Sequence, residues 1–398
     1  MIRITGDNII SALGFTTEEN FCAVKRGVSG VKHYDAGTFG LPEAFMASLV
    51  DREKLNAEFS KISPEISPPG EAEGDYTPLE KAAILSVYLA NNSANNPDGR
   101  SAVRTRRVDM SDKRLLFILS TTKGNVELLE RSMPTIDRRL HLWHSAKVIA
   151  RFFGNSNPPV VVSNACISGA AAQIAAMREL ESGEYDRAVV VGADLLSKFI
   201  VSGFQSFKAL SPQLCRPFDR QREGLNLGEA AATIIFERDS GGVGGAVLAG
   251  GAIRNDANHI SAPSRTGEGC YRALKNVLQE IDIDDIAFIN AHGTATPYND
   301  AMEAVAIVRA GLEKLPVNSL KPFFGHTLGA AGVLETIISV RALEEKLVLR
   351  SLNFSDQEFE SPINVSQKNC FSDKPCFIKM LSGFGGCNAA LAYRRGTI

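Results

Sequence analysis

The chain has 398 residues, 44% of them hydrophobic and 22% charged, with a formal net charge of −2. It is long enough for two domains or one large two-lobed unit, and its balance is that of an ordinary globular protein. The near-neutral charge excludes a globally basic field of the kind that holds nucleic acid, and no apolar run reaches the ~18 residues that would span a bilayer.

The opening residues, Met1 to Gly6, carry no basic segment followed by an apolar core, so no signal peptide is expected. Residues 60–77, rich in Pro, Glu and Ser, and residues 91–112, Asn-rich and then carrying Arg100, Arg104, Arg106 and Arg107, read as surface excursions. Strand-like runs follow at 115–120 and 159–163. A helix is expected over 166–182, then a strand over 188–192. Further strands are expected at 233–236 and 246–250, a helix at 267–280 and a strand at 286–290. This alternation predicts an α/β fold with largely buried strands. The seven cysteines, at 22, 166, 215, 270, 370, 376 and 387, form neither a CxxC pair nor a zinc-spaced cluster. An odd, scattered set favours a reducing compartment, so a cytoplasmic protein is expected.

Cys166 stands where the β-branched run Val160-Val161-Val162 gives way to Ser168-Gly169-Ala170-Ala171-Ala172. A thiol at such a strand–turn–helix elbow feels the free N–H groups of a helix N-terminus, which favour the thiolate. A second small-residue helix opens with His326-Thr327-Leu328-Gly329-Ala330-Ala331-Gly332, 160 residues after Cys166. Each segment starts on a reactive side chain and reaches glycine three positions on. The echo predicts two similar α/β halves, residues 1–240 and 241–398, divided near the glycine-rich run 241–245. His292, in Ala291-His292-Gly293-Thr294-Ala295-Thr296, directly follows a strand. A lone histidine or buried cysteine is most often structural, but three such residues at element junctions point to chemistry at the carboxyl ends of strands. Gly383-Phe384-Gly385-Gly386 forms a backbone turn that other side chains would forbid; it can be a simple strand connection or can aim an N–H at a developing oxyanion.

Together these motifs resemble the β-ketoacyl-acyl carrier protein synthases, and most nearly their elongating Cys-His-His type. Arg216-Pro217-Phe218-Asp219, Gly228-Glu229 and Gly203-Phe204 with Ala209-Leu210-Ser211 extend the resemblance, which is strong from about residue 110 onward. It implies a thiolase fold, a duplicated five-layer αβαβα arrangement, assembled as a homodimer or as a heterodimer with a related synthase. It implies a decarboxylative Claisen condensation with no metal or redox cofactor. Cys166 would carry the acyl group as a thioester, and backbone N–H groups of Cys166 and Phe384 would form the oxyanion hole. Thr294 and Thr296 would hold the pantetheine of malonyl-acyl carrier protein. His292 and His326 would stabilise the enolate left by carbon dioxide. Lys321, the residue of the pair nearer to catalysis, would be held by an ion pair with Glu303 as structural support. Phe204 would line the acyl pocket, Phe384 would swing to admit the chain, and Lys208 would meet the acidic carrier protein.

The chain departs from the family pattern at Ile167, at Gly228-Glu229-Ala230-Ala231 and at Cys387, and it matches poorly over 91–147. A specialised polyene or polyketide pathway therefore stands beside primary fatty-acid elongation. A thiolase would share the Cys166 elbow and Gly325-His326 but lacks the His292 motif. A non-catalytic chain-length-factor subunit would lose the nucleophile that this chain keeps.

Overall fold

The computed structural model describes residues 1–66, 76–93, 107–131, 136–238, 245–360 and 362–396. Arg100, Arg104 and Arg106, and most of the glycine-rich run expected to divide the halves, lie outside the described residues. Ten strands form one continuous sheet. The first five are β1 (Ile2–Ser11), β2 (Leu115–Ser120), β3 (Val160–Val162), β4 (Arg187–Asp194) and β5 (Ala230–Arg238). The second five are β6 (Ala246–Asn255), β7 (Ile286–Asn290), β8 (Val317–Asn318), β9 (Cys376–Gly383) and β10 (Cys387–Arg395).

Both sets have the same spatial order: first, fifth, fourth, second, third. In both, the first, fifth and fourth strands pair antiparallel and the rest pair parallel. A short antiparallel ladder between β1 and β6, with Ile2 opposite Leu248, joins the sets.

The helices relevant to the site are α1 (Arg52–Ile66), α2 (Pro78–Ser93), α3 (Ser168–Ser182), α4 (Lys198–Ser206), α5 (Glu268–Val277), α6 (Pro297–Arg309) and α7 (Ala331–Glu344). Helix α2 covers β1, β4 and β5, whereas α5 covers β6 and β10 and packs on α6. Helices α3 and α7 touch each other and strands of both sets. They are the middle of five layers, the thiolase arrangement.

Small residues make this middle layer possible. A Cβ on Gly169 would stand 2.8 Å from Val333 N, and one on Gly332 would stand 2.5 Å from Ala170 N. Neither distance is tolerable for a real side chain, so the two helix starts meet backbone to backbone. Ile167, Ala170, Ile174, Val333, Leu334 and Ile337 then join residues of both strand sets in one buried cluster.

Three sequence expectations change. Residues 60–66 are helical, because Leu55, Phe59 and Ile62 recur at helical spacing and are buried. Strands β4, β5 and β6 run beyond their expected ends, since their pairing continues past the most apolar residues. The helix expected from His326 begins only at Ala331, after the 3-10 turn Leu328–Ala330. That turn lets His326 leave the helix axis and face Cys166. Among the described residues, no helix is long and apolar enough to cross a membrane.

Candidate active site

The elbow after β3 closes on its own hydrogen bonds. Asn164 N–H donates to Ser168 Oγ at 2.8 Å, and the Ser168 hydroxyl donates to Ala165 O at 2.6 Å. Ala165 is left-handed, at φ +44°. For a residue other than glycine such backbone costs about 1–3 kcal/mol, which the surrounding bonds must hold. The turn delivers Cys166, only 9% exposed, to the wall of a cavity of about 440 Å³.

Two more turns converge there, and each also carries a left-handed residue: Ala295 at φ +62° and Leu328 at φ +51°. His292 follows β7. Its N–H and that of Gly293 donate to the two carboxylate oxygens of Glu303 on α6, both at 2.7 Å. Thr294 N–H donates to Asp300 at 3.0 Å, and Asp300 also accepts from Phe218 N at 2.7 Å. The His326 turn is fixed by its own N–H to Asn226 O, at 2.7 Å, and by Gly329 N–H to Asp194 at the end of β4, also 2.7 Å. These supports bring His326 Nε2 to 3.0 Å from Cys166 Sγ. The His292 ring meets His326 edge-on, with centroids 5.1 Å apart and planes at 81°.

Burial governs the charges. It pushes the Cys166 thiol up to about 12; Cys387 adds to the effect, and Lys321 opposes it. Burial thus opposes the thiolate that a helix N-terminus would favour, and at this raised value the resting group is a thiol. Both histidines are held well below the usual imidazole range, first by burial and next by the charge of Lys321. The resting site is therefore a neutral thiol against neutral imidazoles. Each ring also has a buried Nδ1 without a hydrogen-bond partner among the described residues.

The expected ion pair between Lys321 and Glu303 is not formed. Lys321 Nζ bonds Glu335 on α7, and Lys379 Nζ on β9 reaches the other oxygen of the same carboxylate at 2.6 Å. Glu303 is engaged by the backbone of the His292 turn and by Asn299 Nδ2, at 2.9 Å. Its place in the site is that of a clamp on the turn. Burial, reinforced by Asp300, raises its carboxyl to about 7. Lys379 and Glu335 were legible as lone charges in the apolar runs Cys376 to Leu381 and Ala331 to Val340, but their partnership was not.

The remaining expected residues surround the cavity. Thr294 and Thr296 line it, with their hydroxyls 2.8 Å apart, and Phe204, Lys208 and Phe384 line it as well. Phe384 is 40% exposed and lies between Phe204, stacked at 6.1 Å, and Phe207, tilted at 5.6 Å. Phe207 belongs to no motif in the sequence, and only its packing on Phe384 marks it. The Phe384 turn relies on Gly385 and Gly386, at φ +84° and +74°. Gly383 passes so close to the elbow that a Cβ on it would sit 3.0 Å from Cys166 N. The backbones that would supply an oxyanion hole are thus adjacent. Cys387 Sγ donates to Phe384 O at 3.3 Å, which ties the turn at its far side.

One ligand atom from each of Cys166, His292 and His326 lies within 4.8 Å of the others. Such a set would suit a soft metal, yet the buried Lys321 charge opposes a dication there.

Residues 121–241 match the family model described as beta-ketoacyl synthase, N-terminal domain, and residues 245–355 match beta-ketoacyl synthase, C-terminal domain. The chain belongs to the β-ketoacyl synthase family. The 3-oxoacyl-[acyl-carrier-protein] synthase 2 of Vibrio cholerae is 26% identical to this synthase, in an alignment covering 99% of each chain. A crystal structure of a β-ketoacyl synthase from Burkholderia phymatum STM815 matches with a TM-score of 0.82 at 26% identity, again over 99% of each chain. The ishigamide ketosynthase/chain length factor shares the fold, with a TM-score of 0.82 at 24% identity, over 100% of this chain and 99% of the other. The resemblance read from the motifs and the thiolase fold it implied are both borne out.

Proposed function

We propose that this synthase condenses malonyl-acyl carrier protein with an acyl group held on Cys166, giving a 3-oxoacyl thioester longer by two carbons. The observation that carries it is the 3.0 Å contact between His326 Nε2 and Cys166 Sγ, with His292 edge-on beside it at the inner end of an apolar-walled cavity.

A thiol raised by burial needs a base. The neutral His326 ring accepts the thiol proton as Sγ attacks the acyl thioester, then passes it to the departing carrier thiolate and is neutral again. Malonyl thioester then takes the same cavity, its pantetheine beside the Thr294 and Thr296 hydroxyls. The carbon–carbon bond to its carboxylate breaks, carbon dioxide departs, and the electron pair becomes an enolate. Neutral ring N–H groups of His292 and His326 donate to the enolate oxygen. The enolate carbon attacks the Cys166 thioester, and backbone N–H groups of Cys166 and Phe384 receive the charge on its oxygen. Collapse of that intermediate expels Sγ as a thiolate, which takes up one proton from solvent to restore the resting thiol. Phe204 lines the acyl path, and Phe384 on its glycine turn is the movable wall. Lys208, exposed at the rim, faces an acidic carrier protein.

We take the two halves to be residues 1–240 and 241–398, a reading supported by one set of five strands in each. The synthase works as a dimer in the cytoplasm, in fatty-acid or related polyketide or polyene synthesis; seven free cysteines accord with a reducing compartment. Incubation with acyl- and malonyl-carrier protein should yield the 3-oxoacyl product and one equivalent of carbon dioxide. Acyl transfer without carbon dioxide release would overturn the condensing assignment.

A further inference from the structure

Two buried lysines share one buried carboxylate behind the histidine pair. Lys321, Lys379 and Glu335 are each at most 1% exposed. Glu335 gives one oxygen to each lysine. Lys379 Nζ also donates to Ala291 O at 3.2 Å, the carbonyl directly before His292, and to Met380 O at 2.9 Å. A single lysine against Glu335 would form a neutral pair. The second leaves the cluster with one net positive charge, in a region where burial makes any uncompensated charge costly. Such an arrangement needs a reason, and the groups it faces supply one.

We propose that Lys379 is a positioning residue for the condensation: its charge adds to burial and to Lys321 in opposing protonation of His292 and His326, and its bond to Ala291 O holds the strand end that carries His292. A positive charge close to an imidazole in a poorly solvated site disfavours the imidazolium. Burial is the first cause that lowers both rings and Lys321 the next; Lys379 adds to them in the same sense. The groups facing Lys379 are Glu335 on α7, Lys321 in the turn before it, Glu303 on α6, and the two histidines. Burial, only partly offset by Glu335, brings Lys379 itself down to about 8, so it stays charged across the acidic range where histidines would take a proton. Neutral rings can both accept the Cys166 proton and donate to an enolate; imidazolium could not accept.

The role in catalysis rests on the condensing reading, but the protonation of the rings does not. Nitrogen-labelled histidine NMR of the intact synthase should show two rings that stay neutral from pH ~8 to ~5, where an ordinary histidine titrates. In Lys379→Met at least one of them should titrate inside that range, and the acid limb of carbon dioxide release from malonyl-carrier protein should move up by about one pH unit. Lys379→Gln, which keeps a donor for Ala291 O without the charge, should give the same titration. Two results would overturn the proposal. One is either wild-type ring titrating in the ordinary range, a measurement that needs no variant. The other is a substituted protein that loses stability while both rings and the acid limb stay unchanged. An enzyme inactive on malonyl-carrier protein whose rings nevertheless respond to Lys379 would count against the function and leave the electrostatic role standing.

Discussion

His326 Nε2 stands 3.0 Å from Cys166 Sγ, although 160 residues separate them. The helices that follow, α3 and α7, start 163 residues apart; the difference of three is the 3-10 turn Leu328–Ala330. A thiol pushed up to about 12 by burial is unreactive by itself. The contact therefore predicts a division of labour between the histidines. His292→Ala should acylate near the wild-type rate, and His326→Ala should still acylate but more slowly. Both should lose at least about a hundredfold in carbon dioxide release. Separate single-turnover assays with acyl- and malonyl-carrier protein read the two steps; unchanged release in either variant removes that histidine from the decarboxylation.

Acylation should add one acyl mass per chain, at Cys166. Cys387 is the control, because it is buried nearby but its thiol is engaged by Phe384 O. Intact-mass analysis should show no acyl adduct on Cys166→Ala and a normal one on Cys387→Thr. An adduct that survives the first substitution would dismiss Cys166 as the nucleophile.

Glu335 compensates two buried cations, so its removal should act through folding. Glu335→Leu should cost about 3–5 kcal/mol in denaturant unfolding, as expected when one partner of a buried ion pair is lost. A loss under about 1 kcal/mol would mean that the lysines discharge or find water, and that the cluster is not held as described.

The carboxyl of Glu303 is raised to about 7 in the folded protein, above its value in an unfolded chain. The native state thus binds more protons than the unfolded one between about pH 4.5 and 7, and this group's contribution to stability is full below that window and lost as pH rises through it. Glu303→Gln should flatten the fall in stability across that window. Equal slopes for the two proteins in urea unfolding at pH 5 and 7.5 would contradict the raised value.

Gly385 is left-handed, and nothing lies within 4 Å of where a Cβ would be. Gly385→Ala should therefore pay only for backbone conformation, about 1–2 kcal/mol locally. Because this turn carries Phe384, acyl transfer should slow while the global unfolding midpoint barely moves. An unchanged acylation rate would detach the turn from substrate access.

Much of the site was legible before folding was considered. Cys166 and His292 follow strand-like runs and His326 follows a glycine before a small-residue segment, so the three together mark a site, and the glycines around Phe384 announce a turn only glycine can make. The repeated halves were visible as a faint echo at Gly169 and Gly329. In the structure the helix contact falls on Gly169 and Gly332, since an inserted 3-10 turn is invisible to a comparison of short motifs.

What the sequence determined by itself was the chemistry: a thiol, two imidazoles and their strand–turn–helix settings, all encoded within a few residues of each group. What only the tertiary structure decided was their electrical state. Lys321 meets Glu335 and Lys379 instead of Glu303, and burial makes Cys166 a thiol and the histidines neutral bases. Those outcomes depend on desolvation and on distances between segments far apart in the chain, and neither quantity is written in any local pattern of residues.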